Sequence, residues 1–166
     1  MIQFLQYTGH ARMKASIQRP LQDPVDIDIV RHLIAAPRLS ISELARQVGM
    51  SAPAVRERMQ RLEETGVIGG YQTLVNPRAL GYEITVFVRI RPSPGNLQAV
   101  AELAQRTANV IECHRVTGED CFILKALLRS LDDLDPLLDK FLLYGQTTTS
   151  IAQSCPVPAR QLPLPG

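Results

Sequence analysis

Between residues 23 and 68 apolar positions recur every three to four residues, in three short runs separated by turn-forming residues. Ile27, Val30, Leu33 and Ile34 make the first run, opened by the cap and first-turn pair Asp23-Pro24 and closed by Pro37. Ser40 opens the second: its hydroxyl can cap a helix, Glu43 three residues on can reach back to the cap amide, and Leu39 can pack on Leu44. Gly49 suits the left-handed residue that stops that helix, and Ser51 offers a new cap with Pro53 tolerated in the first turn. Val55, Met59 and Leu62 then form one stripe, and Gly66 ends it. The pattern predicts a supporting helix and two helices joined by a tight turn.

After Gly69-Gly70 the period changes. Tyr71 to Val75 reads as a strand and Asn76-Pro77 as a turn, which places a domain boundary there. Ile84, Val86, Val88 and Ile90 alternate with Thr85, Phe87, Arg89 and Arg91, a period-two strand that stops at Pro92. Asn96 caps a helix expected to turn Leu97, Val100, Leu103 and Ala104 inward. Val110 to Thr117 and Cys121 to Leu128 read as a hairpin about Gly118-Glu119-Asp120. Ser130 to Tyr144 is helical, with Pro136 either kinking it or moving its start to Asp135. A polar last strand, Gln146 to Ser154, precedes a proline-rich tail. The order strand, helix, strand, strand, helix, strand is that of the ferredoxin-like βαββαβ unit, whose helices cover only one face. The other face, carrying Ile84, Val86 or their neighbours, then calls for a second subunit, so a homodimer is expected.

The fold class read here is α+β: a winged or trihelical helix-turn-helix domain followed by a ferredoxin-like domain. The expected organisation is an arm over residues 1–22, the helix-turn-helix over 23–70, a linker strand and turn over 71–82, the ferredoxin-like domain over 83–157 and a tail over 158–166. The arm carries Arg12, Lys14 and Arg19 with no acid, and reads as flexible and basic.

Candidate chemistry lies first on the face of the third helix opposite its apolar stripe. Ser51, Ala52, Pro53 and Ala54 keep the start of that helix small, so its backbone can approach a groove floor. Glu57, Gln60 and Arg61 continue the face, with Arg56 and Arg58 on its flanks. Ala54, Arg56, Glu57 and Gln60 are expected to lie near base edges, and Arg58 and Arg61 chiefly to meet phosphates of double-stranded DNA. Net charge tempers this: the 166 residues carry +2 and acids nearly cancel arginines between Asp23 and Gly70, so affinity must come from local placement and pairing of subunits. The three cysteines, Cys113, Cys121 and Cys155, form no Cys-x-x-Cys pair and assemble no ligand set with His10, His32 or His114, so no metal, cofactor or disulfide framework is expected. No apolar run is long enough for a membrane span, and a reducing, cytoplasmic location is expected.

The motifs Asp26 and Ile29 in the supporting helix, SISELARQVGMS, Arg58 with RLEETGVIGGY, VTGEDCFILKA and YGQTTTSIAQS together resemble the Lrp/AsnC family of bacterial transcription regulators over about Asp23 to Val157. The resemblance implies an amino-acid-responsive regulator that dimerises through its sheet, builds octamers in many members, and binds a small amino acid near Gly118, Glu119 and Asp120 and the polar strand residues Thr147, Thr149 and Ser150. Those residue types are chemically apt. Gly118 lets amides approach a carboxylate, Asp120 can pair with an α-ammonium, and hydroxyls supply short neutral hydrogen bonds. Cys121, where an aromatic is frequent, and Pro136 depart from the commoner pattern. Two alternatives share the architecture. A sirohaem-decarboxylase-like enzyme would need a cluster such as His114 with Arg115 facing a large pocket, and a ligand-independent architectural DNA-binding protein would need no effector site at all.

Overall fold

The capping signals of the first half become helix boundaries in the computed structural model, which describes residues 21–165. All but the last two residues of the expected arm lie outside that range. The chain divides into two units, one ending at Gln72 and including residues from Ala159 onward, the other Thr73–Pro158.

In the first unit, helix α1 is Pro24–Ala35, and Asp23 caps it by accepting from the amides of Val25 and Asp26 at 2.9 and 3.1 Å. Helix α2, Ile41–Gln47, begins with the reciprocal Ser40–Glu43 box. It ends where Gly49 adopts φ 66° and the amide of Met50 donates back to the Ala45 carbonyl at 2.9 Å, a left-handed closure that a side chain at Gly49 would strain. Helix α3, Ala52–Glu64, follows Ser51 at once. Ile29, Leu33, Leu44, Ala45, Val55 and Leu62 form the buried core, with Leu39 and Met59 packed at its margin. Residues 71–76 form no strand: they have no ladder partner, and Tyr71 instead donates its hydroxyl to Glu63 at 3.0 Å. Burial and that bond both raise the Tyr71 pKa.

The second unit opens with a 3-10 turn at Pro77–Leu80 and is built on strands β1 (Ile84–Pro92), β2 (Val110–Arg115), β3 (Phe122–Leu128) and β4 (Gly145–Ile151). They form an antiparallel sheet in the order β2-β3-β1-β4, the ferredoxin-like arrangement. Helices α4 (Leu97–Arg106) and α5 (Leu134–Leu142) cover one face. Val86, Val88 and Ile90 meet Val100, Leu124, Leu137 and Phe141 there, all buried. The uncovered face therefore carries the neighbours of Val86: Thr85, Phe87, Arg89 and Arg91.

Several boundaries move. Leu97, expected to turn inward, is 38% exposed, while Val100 and Ala104 are buried. Asn96 makes no side-chain cap and instead donates to the Tyr144 carbonyl at 3.3 Å. Pro136 neither kinks α5 nor moves its start to Asp135: the helix begins at Leu134 after a 3-10 turn, so Pro136 falls in the first turn, where a missing amide costs no intrahelical bond. β4 ends at Ile151, where its pairing with Val86 ends.

Candidate nucleic-acid interface and effector turn

On α3 the residues expected to face DNA fall into two groups. Ser51, Pro53, Arg56, Glu57 and Gln60 are exposed, and Ala52 and Ala54 half-exposed, forming one polar surface along the helix. Gln60 lends its amide to Glu64 at 2.8 Å, a surface bond that a stronger acceptor can replace. Arg56 makes no ion pair among the described residues.

Arg58 and Arg61, expected to meet phosphates, both turn to a carboxylate of α1. Asp26, 5% exposed, accepts from Arg58 Nη1 at its Oδ1 and from Arg61 Nη2 at its Oδ2, each at 2.7 Å. Arg58 Nη1 also lies 3.1 Å from Asp23 Oδ2. The side chain of Arg58 is only 25% exposed and that of Arg61 56%. The Asp26 carboxylate, then that of Asp23, raises the Arg58 pKa, while the Asp26 amide and then Arg58 lower that of Asp23. Asp23 and Asp26, two of the acids that offset the arginine charge, are thus spent on these two side chains, and the role of Asp26 was not legible from periodicity.

The effector residues do not converge as expected. Thr147 and Thr149 lie opposite Ile90 and Val88 in the register, on the helix-covered face, and Ser150 lies opposite Phe87 on the open one. Strand parity separates them, and brings Thr148, opposite Arg89, beside Ser150. Gly118, Glu119 and Asp120 do form the β2–β3 turn, and Gly118 adopts φ 118°, which favours glycine. Glu119 pairs with Arg91, and the two oxygens of Asp120 lie 3.8 Å from Nε of Arg89 and of Arg91. Acid and base thus stand together at the margin of the open face. Arg89 and Arg91 were absent from the expected site, although the alternation of β1 had already put them on this face.

A cavity of about 220 Å³ lined by Val75, Leu80, Tyr82 and Ile111 among others does not include this turn. A second, of about 590 Å³ between Arg106, Asp133 and Lys140, does not include it either. His114 and Arg115 point to opposite faces of β2, opposite Ile123 and Phe122, so they form no cluster of the kind a tetrapyrrole enzyme needs. Among the described residues no group of histidine, cysteine and carboxylate side chains is arranged to hold a metal, and no helix is long and apolar enough to cross a membrane.

Residues 22–68 match the winged helix-turn-helix DNA-binding family, and residues 85–162 match the Lrp/AsnC ligand binding domain. The transcriptional regulator LrpA of Mycobacterium tuberculosis is 35% identical over 119 residues, covering 71% of this chain and 79% of its own. The leucine-responsive regulatory protein of Rhizobium meliloti is 38% identical over 112 residues, 66% of this chain and 72% of its own. The solved structure of LrpC from Bacillus subtilis, 30% identical, superposes with a TM-score of 0.75 over 80% of this chain and 95% of its own. The same fold occurs in a transcriptional regulator of Neisseria meningitidis solved as an L-Met complex, at 22% identity and a TM-score of 0.78 over 86% of this chain and 96% of that one. With a capped recognition helix in the first unit, a ferredoxin-like sheet in the second and relatives that span both, the chain belongs to the Lrp/AsnC family of DNA-binding transcriptional regulators.

Proposed function

We propose that the chain works as a homodimer that reads duplex DNA with the exposed surface of α3 and changes that reading when a small amino acid binds at the Gly118–Asp120 turn. The observation that carries the reading is the division of labour on α3: Arg58 and Arg61 are tied to α1, while Arg56, Glu57 and Gln60 are exposed beyond a start kept small by Ala52, Pro53 and Ala54. Arg56 meets a phosphate, and Glu57 and Gln60 meet base edges. Pairing follows from the open sheet face, where Phe87 is 40% exposed beside Ile123 and Leu127; a second copy covers it, and dimers assemble further into octamers. The effector assignment is supported by chemistry. An amino acid is a zwitterion, and Asp120 with Arg89 and Arg91 offers one partner for each of its charges. A leucine-responsive relative and a fold neighbour with L-Met agree with that class of ligand. Such a regulator acts in the cytoplasm, where the DNA is.

Arg56→Ala tests the DNA reading by fluorescence anisotropy on a duplex selected in vitro by the wild-type chain. Loss of one phosphate contact lowers the slope of log affinity against log salt by about 0.9. An unchanged slope removes Arg56, and with it the proposed orientation of α3, from the interface.

A further inference from the structure

We infer that Asp26, buried on the supporting helix, is a positioning residue for sequence reading: through Arg58 and Arg61 it sets where α3 lies and withholds both arginines from non-specific phosphate binding. The inference rests on the reading of α3 as the DNA-reading helix.

Asp26 is the only charged side chain buried among the described residues, and its two oxygens are both occupied, one by each arginine. Arg58 and Arg61 stand three residues apart, on one face of α3. Two guanidinium groups converging on one carboxylate fix the rotation of α3 about its axis and its position along that axis, which an apolar contact between α1 and α3 would leave looser. Asp23 adds to the anchor, since it caps α1 through one oxygen and touches Arg58 with the other. Glu57 and Gln60 are sequence neighbours of the anchored arginines, so a shift of the anchor carries them with it. Base-edge hydrogen bonds are directional and discriminate only when the helix is held in register with the groove. The same pairs also govern charge. With Asp23 and Asp26 opposite Arg58 and Arg61, this part of α3 is nearly neutral, so binding that ignores sequence is weakened while base contacts keep their full weight.

The test uses the full chain, a duplex selected in vitro by the wild type, and a scrambled duplex of the same composition, each titrated at several salt concentrations. Asp26→Asn keeps the shape of the side chain and removes its charge. Arg58 stays near Asp23 while Arg61 is released. The expected result is a salt slope on the scrambled duplex steeper by about 0.9, one added phosphate, and a ratio of selected to scrambled affinity reduced about tenfold, within the range for one lost base contact. Arg61→Gln, which leaves Asp26 paired with Arg58 on a half-exposed site, serves where Asp26→Asn does not fold. It is expected to lower the same ratio without changing the scrambled slope. The inference is overturned if Arg61→Gln weakens both duplexes equally and flattens the slope by about 0.9, the signature of an ordinary phosphate contact, or if a folded Asp26→Asn keeps the wild-type ratio. Failure of the reading of α3 looks different: the wild type itself then shows no preference for a selected duplex, or Arg56→Ala leaves its binding unchanged.

Discussion

Replacing Leu44 with alanine should remove most of the stability of the helical unit and leave the sheet standing. Leu44 is fully buried in a core of only six buried residues, so nothing nearby is free to collapse into the space it leaves. Truncations of this kind cost about 2.7–5.0 kcal/mol, the upper part of the range where the cavity stays open. A helical unit of about 50 residues at roughly 0.05–0.15 kcal/mol per residue holds about 2.5–7.5 kcal/mol in total, so the substitution removes the larger part of its stability. The second unit has a separate core around Val88, Leu124 and Phe141 and loses none of these contacts. Native-state hydrogen exchange reads both units in one sample. Amides of α2 and α3 should exchange through an opening cheaper by about 4–5 kcal/mol, those of β1 and β3 should keep their protection, and DNA binding should fall with the unfolded fraction of the helical unit. Equal loss of protection in β1 and β3 would refute the reasoning, because it would mean that the two cores stand or fall together.

Acid should act on the same unit first. The Ser40 hydroxyl, then its amide, holds the Glu43 carboxyl below its ordinary value, and the Asp26 amide followed by Arg58 does the same for Asp23. Groups lowered on folding contribute stability above the ordinary carboxylate range and lose it as pH falls through their folded values, so the melting temperature of the helices should drop below about pH 4. Ser40→Ala should make that drop shallower, and an equally steep one would exclude the capping box as its source. In the second unit Asp120→Ala should erase the effect of added amino acid on DNA affinity, a coupling of about 5–150-fold. A response as large as the parent's, followed by anisotropy with and without the amino acid, would place the effector elsewhere.

What could be read directly from the chain was what local rules decide. Asp23, Ser40 with Glu43, Ser51 and Gly49 set helix boundaries through bonds no more than five residues apart, and the alternation of β1 separated Val86, Val88 and Ile90 from Phe87, Arg89 and Arg91. Features that depend on distant partners were not legible. Asp26 reaches Arg58 and Arg61 across 32 and 35 residues, so helical periodicity shows the arginines as solvent-facing. The polar run of β4 carries no hydrophobic alternation to reveal its faces, so only its register with β1 separates Thr147 and Thr149 from Ser150. Tyr71 to Val75 had the composition of a strand but no partner to pair with. Leu97 had helical spacing but stands 38% exposed.

In the proposed homodimer two copies of α3, paired through the sheet domains, read one DNA site together. Hydroxyl-radical footprinting of the full chain on its selected duplex, with stoichiometry measured by sedimentation of the complex, tests it most directly. A homodimer should give two protected patches related by a two-fold axis, their centres about 34–36 Å or a multiple of that apart, with an even number of chains bound. One continuous patch held by a single chain would contradict it.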